Sequence, residues 1–278
     1  MIPFDFQYHA PESIEEAVEL YTALASEDKN PLYYGGGTEI ISFSRRSKIN
    51  TGAVIDLKKI PDTVIWQAGK ENLAVGAALP LSIITDQDLF PLLARVARPV
   101  ADRTVRNRLT LGGNICGRLP YREALLPFLL GDSEAVLAGP QGSRTIALTE
   151  LFNKRLLLEK GEFLVKLLVP SAALQAEWWH KRREKHGPVD YPLVHLAVLR
   201  QSGRLAVAVS GLCSFPFRET ALEDLLNDRT LPNREKVDRS LSLLPGKIRD
   251  DDLASAAYRE KLWRIDLEKM LEEMEGVR

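Results

Sequence analysis

An α+β fold divided into two domains is the architecture this sequence predicts. The chain of 278 residues is longer than the roughly 100–150 residues of a common single domain. Up to residue 170, short apolar runs rich in β-formers alternate with stretches of helical periodicity. Beyond a loop at 171–177, strand patterns follow one another and helices close the chain. The first domain is therefore drawn over 1–172 and the second over 173–278.

Taken in order, Ser13 followed by Glu16 has capping-box spacing, and Ile14, Ala17, Val18, Tyr21 and Leu24 recur on one helical face, which predicts a helix over 14–25. Residues 31–34 form a short apolar strand between Asn30 and three glycines, and the pattern resumes over 38–44. A second buried strand is expected over 53–57, and a hairpin pairs 64–67 with 73–75 across the turn AGKEN. Helical patterning dominates 81–105, a second glycine turn stands at Gly112 and Gly113, and another helix follows over 124–130. The β-rich run 163–169 stops at Pro170. In the second domain 178–182, 193–199 and 205–212 read as an antiparallel meander that turns at 201–203. A last helix starts near Asp252, with Tyr258, Leu262, Ile265, Met270 and Met274 on its apolar face.

Composition narrows the function classes. Lys+Arg 37 against Asp+Glu 38 gives a net charge of -1, so no electrostatic case for nucleic acid exists. The opening residues lack a basic segment followed by an apolar one, and the most apolar stretch, 124–130, is short and broken by Pro127. A soluble cytoplasmic chain without a membrane span is expected. Cys116 and Cys213 form neither a CxxC pair nor a disulfide framework, and His9, His180, His186 and His195 show no metal-ligand spacing. A tightly bound metal is not expected.

The chemistry-bearing signal lies in two glycine segments. YGGGTE at 34–39 follows a strand, and three residues without Cβ let backbone N–H groups approach an anion. The segment is neither a Walker A loop nor a GxGxxG fingerprint, and by itself it reads more readily as a turn that needs positive φ. In RNRLTLGGNICG at 106–117, Gly112 and Gly113 are expected to expose backbone donors, while Thr110 and Asn114 add side-chain groups. Two such turns could grip one extended dinucleotide, with a diphosphate at one and a ring system at the other. Trp178 and Trp179 are adjacent on a strand and so face opposite sides, which leaves at most one for ring stacking and favours packing for both. Cys116, beside the second segment, has no neighbouring base in sequence and is given no catalytic role.

In this order, YGGGTE and then VRN with TLGGNI resemble the FAD-binding (medium) subunit of the molybdenum hydroxylases, the xanthine dehydrogenase and carbon monoxide dehydrogenase family. Pro170, Lys181 and the stretch DYPLV at 190–194 extend the resemblance over most of the chain. It implies a two-part FAD-binding domain of the type shared with vanillyl-alcohol-oxidase-like flavoproteins, with subdomains of about 1–56 and 57–172, followed by an antiparallel sheet with helices. It implies FAD as cofactor, with Tyr33, Tyr34, Gly35, Gly36, Gly37, Thr38 and Glu39 at the diphosphate and Thr110, Gly112, Gly113 and Asn114 in a second FAD loop. Glu123 stands where relatives have an Asp that contacts the cofactor, and Lys181 matches a basic position on the flavin side.

The resemblance further implies an oxidoreductase subunit that takes electrons from a 2Fe-2S subunit and delivers them to NAD or another acceptor, while a molybdenum-cofactor subunit acts on the substrate. Purines are the substrate class it suggests. The cysteine-rich insertion found in relatives that reduce aromatic acyl-CoA substrates is not expected with two isolated cysteines. One departure stands out: CGRLPYRE at 116–123 replaces the small residues usual after the second loop. Arg118, Tyr121 and Arg122 there either crowd the site, add cation contacts or face solvent. Two rival readings are a self-sufficient FAD-dependent oxidoreductase and a structural subunit that no longer holds FAD.

Overall fold

The computed structural model of the chain describes residues 2–185 and 190–275. His186, one of the histidines weighed for metal binding, lies outside the described residues.

In chain order the elements are β1 (Gln7–His9), α1 (Ile14–Ser26), β2 (Leu32–Tyr34), α2 (Thr38–Ser44) and β3 (Ala53–Asp56), then β4 (Trp66–Ala68) and β5 (Asn72–Gly76). A helical stretch follows with α3 (Leu81–Asp86), α4 (Pro91–Ala97), α5 (Arg103–Arg106), α6 (Leu111–Cys116) and α7 (Leu126–Leu130). Next come β6 (Glu134–Gly139), β7 (Gly142–Ala147), α8 (Leu148–Leu151), β8 (Phe152–Asn153), β9 (Arg155–Leu156), β10 (Phe163–Pro170) and α9 (Ser171–Leu174). The remainder holds β11 (Glu177–Glu184), β12 (Pro192–Gln201), β13 (Arg204–Ser210), β14 (Phe217–Arg218), α10 (Thr220–Asn227), α11 (Asn233–Ser240) and α12 (Ala256–Glu275). Among the described residues no helix is long and apolar enough to cross a membrane.

Two compact units share this chain. The first takes the residues up to Leu89, Asp102–Gly117 and Asp132–Ser171; the second takes Phe90–Ala101, Arg118–Gly131 and the residues from Ala172 onward. The units are not separated by a single cut in the sequence: α4 and α7, from its N-terminal part, belong to the second unit.

The first unit contains a three-stranded and a five-stranded sheet besides the short β8-β9 pair. In the smaller, β3 lies between β1 and β2 and all three run parallel. Helix α1 packs on it through Ala17 and Leu24, and begins where the Ser13 side chain accepts the Glu16 N–H at 3.1 Å. The larger sheet, in the order β4-β5-β10-β6-β7, is antiparallel throughout. In β10 the buried residues Phe163, Val165, Leu167 and Val169 alternate with partly exposed Lys166 and Leu168 in most of the strand, the pattern of a sheet with one covered face.

The second unit is built on the meander β11-β12-β13-β14. Strands β12 and β13 are almost wholly buried, because α7 contacts both, α12 packs on β12 and α10 on β13. The 20-residue α12 presents Leu262, Trp263, Leu267, Met270, Leu271 and Met274 to the core. Tyr258 and Ile265, expected on that face, are exposed instead, because Arg259 and Asp266 occupy the buried stripe. Arg259 is 0% exposed and donates to the carbonyls of Leu193 (2.6 Å) and Gly211 (3.0 Å) and to the Asp251 carboxylate (2.7 Å). It ties the helix to the ends of two strands.

Replacing Arg259 with Met strands two carbonyls in the core and removes one of the two cations of Asp251, which keeps Arg249 at 2.7 Å, and is expected to cost about 3 kcal/mol of unfolding free energy. Urea denaturation of the wild-type and variant chains measures the difference directly.

Candidate functional site

The first glycine segment is a strand-to-helix connection. Strand β2 ends at Tyr34, and Gly37, at φ +69°, turns the chain into α2. Residues 38–44, expected to continue the strand, are therefore helical: the left-handed turn reverses the backbone, and TEIISFS suits a helical stripe as well as an alternating one. The N–H groups of the first turn of α2 have no acceptor within the helix, and Gly37 brings no capping side chain.

The second segment is also helical rather than a turn. Thr110 caps α6, its hydroxyl accepting the Gly113 N–H at 3.2 Å. Gly112 donates to the Ala77 carbonyl at 2.7 Å and Leu111 to the Leu79 carbonyl at 2.9 Å. The expectation that Gly112 and Gly113 expose backbone donors is thus corrected: both N–H groups are engaged inside the unit. Glycine is required at 112 for close approach, because a Cβ there would stand 2.8 Å from the Ala77 side chain and 2.9 Å from its carbonyl oxygen.

These two segments meet. A Cβ on Gly36 would fall 1.6 Å from the Arg108 carbonyl oxygen, and one on Gly35 would fall 2.4 Å from Thr110 Oγ1. Two cavities, of about 150 and 170 Å³, share Tyr33, Gly35, Thr110, Gly113 and Cys116 as walls. Gly36, Gly37, Thr38 and Glu39 line only the second, while Ala77, Ala78 and Leu164 line only the first. This is a main-chain cradle with an apolar annex.

The remaining expected residues take distinct places. Tyr33 stacks on Tyr21 at 5.1 Å, meets Phe163 at 4.5 Å and donates its hydroxyl to the Gly161 carbonyl at 3.0 Å, so it offers the cavities a ring rather than a donor. Tyr34 lines neither cavity; its ring fills the space beside Gly37, and burial pushes its phenol up. Asn114 lies on α6 and is not among the lining residues.

Glu123 and Lys181 belong to the second unit. Glu123, expected as a direct cofactor contact, is 4% exposed; its carboxylate takes the Arg182 Nε at 2.7 Å and faces His195 Nδ1 at 2.7 Å. Burial pushes this carboxyl up, but the His195 hydrogen bond and charge, with Arg182, outweigh it and hold it below the usual range. The longer Glu arm serves a buried ion-pair network. Lys181 shares its strand face with Trp179 and Arg183, which bond Glu273 (2.5 Å) and Asp266 (2.7 Å) on α12.

The bulky departure after the second segment is also accounted for. Tyr121 is buried, stacks on Tyr191 at 4.5 Å and lies under the Arg249 guanidinium at 4.9 Å; Arg122 is buried as well. Arg118 is exposed, and none of the three lines either cavity. Sequence reasoning missed Asp56 and Lys58. Lys58 donates to the Gly35 carbonyl at 2.8 Å, yet DLKK at the end of a strand carries no motif that would mark it.

Over residues 4–172 the chain matches the family described as the FAD binding domain in molybdopterin dehydrogenase. The chain belongs to this family. FAD is accordingly its cofactor, and the chain is an FAD-binding subunit of the molybdenum hydroxylase class. A similar curated protein is the carbon monoxide dehydrogenase medium chain of Hydrogenophaga pseudoflava, 32% identical over 211 residues that cover 73% of this chain and 72% of the relative. The xanthine dehydrogenase FAD-binding subunit of Escherichia coli O157:H7 is 25% identical over 175 residues, covering 60% of this chain and 59% of that one. In the structure of carbon monoxide dehydrogenase from Hydrogenophaga pseudoflava lacking the Mo-pyranopterin moiety, one chain superposes with a TM-score of 0.85 at 25% identity, covering 97% of this chain and 96% of that one. The α+β fold expected from the sequence is the fold of these flavoprotein subunits.

Two outcomes follow. A Gly36→Ala methyl has no room against the Arg108 carbonyl, so FAD affinity measured by flavin fluorescence titration is expected to fall at least about tenfold while far-UV circular dichroism is retained. His180, lowered to about 4 by burial and then by His195, Arg95 and Lys181, stays neutral in the folded chain while its unfolded counterpart gains a proton below about 6.5. Folded stability therefore drops as pH falls from about 6.5 toward about 4, and His180→Gln is expected to flatten that part of a melting-temperature profile.

Proposed function

We propose that the chain is the electron-transfer subunit of a multi-subunit molybdenum hydroxylase. Its FAD takes electrons from a 2Fe-2S partner subunit and passes them to NAD or another acceptor, while a molybdenum-cofactor subunit hydroxylates the substrate. The observation that carries this reading is the cradle formed where Gly35–Gly37 meet 108–113. Such a surface suits a diphosphate because main-chain N–H groups can reach oxygens that side chains would screen, without net positive charge from the protein.

Within the cradle the backbone of Gly36, Gly37, Thr38 and Glu39 would hold the diphosphate, with Gly35, Thr110 and Gly113 as the opposite wall. Tyr33 and the apolar residues of the adjoining cavity would enclose an uncharged part of the cofactor. FAD itself supplies the one- and two-electron chemistry. The chain's task is to hold it, and no acid or base among these residues is required. Lys181 and Glu123 support the fold of the second unit in this reading.

The substrate belongs to the molybdenum subunit. Purines, suggested by the resemblance, draw less support than a carbon monoxide dehydrogenase type of complex, since the match to the medium chain of that enzyme is both longer and higher in identity.

The decisive measurement is the absorbance spectrum of the purified chain, with the flavin released by acid and identified by chromatography. About one FAD per chain is expected, and mixing with reduced 2Fe-2S partner subunit should bleach the flavin band. A chain that takes up no flavin from excess FAD would overturn the reading.

A further inference from the structure

Behind the first glycine segment lies a cluster of polar groups that neither the family description nor the cavity lining explains. Asp56, at the end of the central strand β3, is 4% exposed. Three donors make four contacts with its carboxylate: Tyr8 Oη at 2.5 Å, Lys58 N–H at 3.0 Å, and Lys58 Nζ at 2.7 and 2.6 Å to its two oxygens. Lys58 Nζ spends a further hydrogen on the Gly35 carbonyl at 2.8 Å and sits 4.8 Å from the centroid of the Tyr34 ring. That ring in turn packs so closely on Gly37 that a Cβ there would lie 2.1 Å from it.

The three strands of the small sheet thus each send one group to the same point: Tyr8 from β1, Asp56 from β3 and Tyr34 from β2. Lys58 closes the set onto both ends of the glycine segment. The Asp56 hydrogen bond, followed by burial, raises Tyr8 to about 12, so its phenol remains a donor throughout the ordinary pH range.

We propose that Tyr8, Asp56 and Lys58 form a clamp that positions the Gly35–Gly37 segment for the diphosphate of FAD, with Lys58 as the positioning residue. A carbonyl oxygen pinned at Gly35 fixes the orientation of the peptide between Gly35 and Gly36, and hence the direction in which the N–H of Gly36 points. Three glycines in succession would otherwise sample many orientations, and ordering them on binding would cost affinity. Lys58 is therefore directed toward the protein's own backbone and carboxylate, not toward the cofactor's charge. The inference rests on the reading of the cradle as the diphosphate site.

The test compares FAD affinity of the full chain by fluorescence titration with melting of the same proteins freed of flavin. Lys58→Met is expected to weaken FAD binding about tenfold, equivalent to one factor of ten in Kd, at temperatures where the flavin-free chain is fully folded; it also lowers the melting temperature of that chain, because Asp56 is left without its cation, and Lys58→Arg is expected to recover most of both. Asp56→Asn separates the clamp from a simple charge effect. It frees Lys58 from its carboxylate, so a direct attraction between Lys58 and the diphosphate would tighten FAD binding, whereas the clamp predicts weaker binding. Lys59→Met, at an exposed neighbour paired only at 3.5 Å with Glu12, serves as the control and should bind FAD normally. Unchanged affinity in Lys58→Met, tighter binding in Asp56→Asn, or equal losses of affinity and melting temperature in Lys58→Met and Lys58→Arg would each overturn the clamp. Failure of the wild-type chain to bind FAD would instead remove the reading on which it rests.

Discussion

The contact between Gly36 and the Arg108 carbonyl is the constraint on which the site depends. No side chain fits between them, so two segments about seventy residues apart can join into one surface made of backbone. Charge plays little part. A chain with almost equal numbers of acids and bases can receive an anionic cofactor because oriented peptide groups supply partial positive charge where it is needed. The division of labour is unequal: the N–H groups of Leu111 and Gly112 stitch α6 to 77–79 and that of Gly113 meets the Thr110 cap, so in the proposed site the donors would come from the glycine segment before α2.

Structure specified by signals local in sequence is legible in this chain. The Ser13 cap, the hairpin of β4 with β5, the run that becomes β10 and the meander β11-β12-β13 each announce themselves within ten or so residues through period or turn chemistry. What failed depended on distant partners. Whether Gly112 offers its N–H outward is decided by the carbonyl of Ala77, and the helix at 38–44 by the sign of φ at Gly37. In α12 the apolar spacing pointed to Tyr258 and Ile265, yet the buried stripe contains Arg259 and Asp266, which hydropathy places outside. Asp56 and Lys58 carry no sequence mark because their meaning comes from Gly35, on a neighbouring strand's end. The glycine segments themselves were legible, as was the family they belong to.

Buried charge in the second unit has a geometric use. Arg182 and Arg183 are adjacent on the edge strand β11 and point to opposite faces, one to Glu123 and the other to Asp266. A slip of one residue would exchange the two faces, and in one direction it would set Glu184 against Asp266. Paired charges of this kind contribute less to stability than to choosing one register, which an edge strand with few apolar anchors otherwise lacks.

With the flavin in the cradle, as proposed, flavin supply is also linked to protein lifetime. Both walls of the cradle belong to the first unit, so a ligand bound there adds its free energy to that unit's folding, by about 2.7 kcal/mol at a hundredfold excess over Kd. Chain synthesised faster than flavin becomes available would open more often in its N-terminal half and be exposed there to proteases. The amount of chain that survives to assemble would then follow the cofactor rather than the rate of translation, a form of quota that needs no regulator beyond two glycine segments that close on each other.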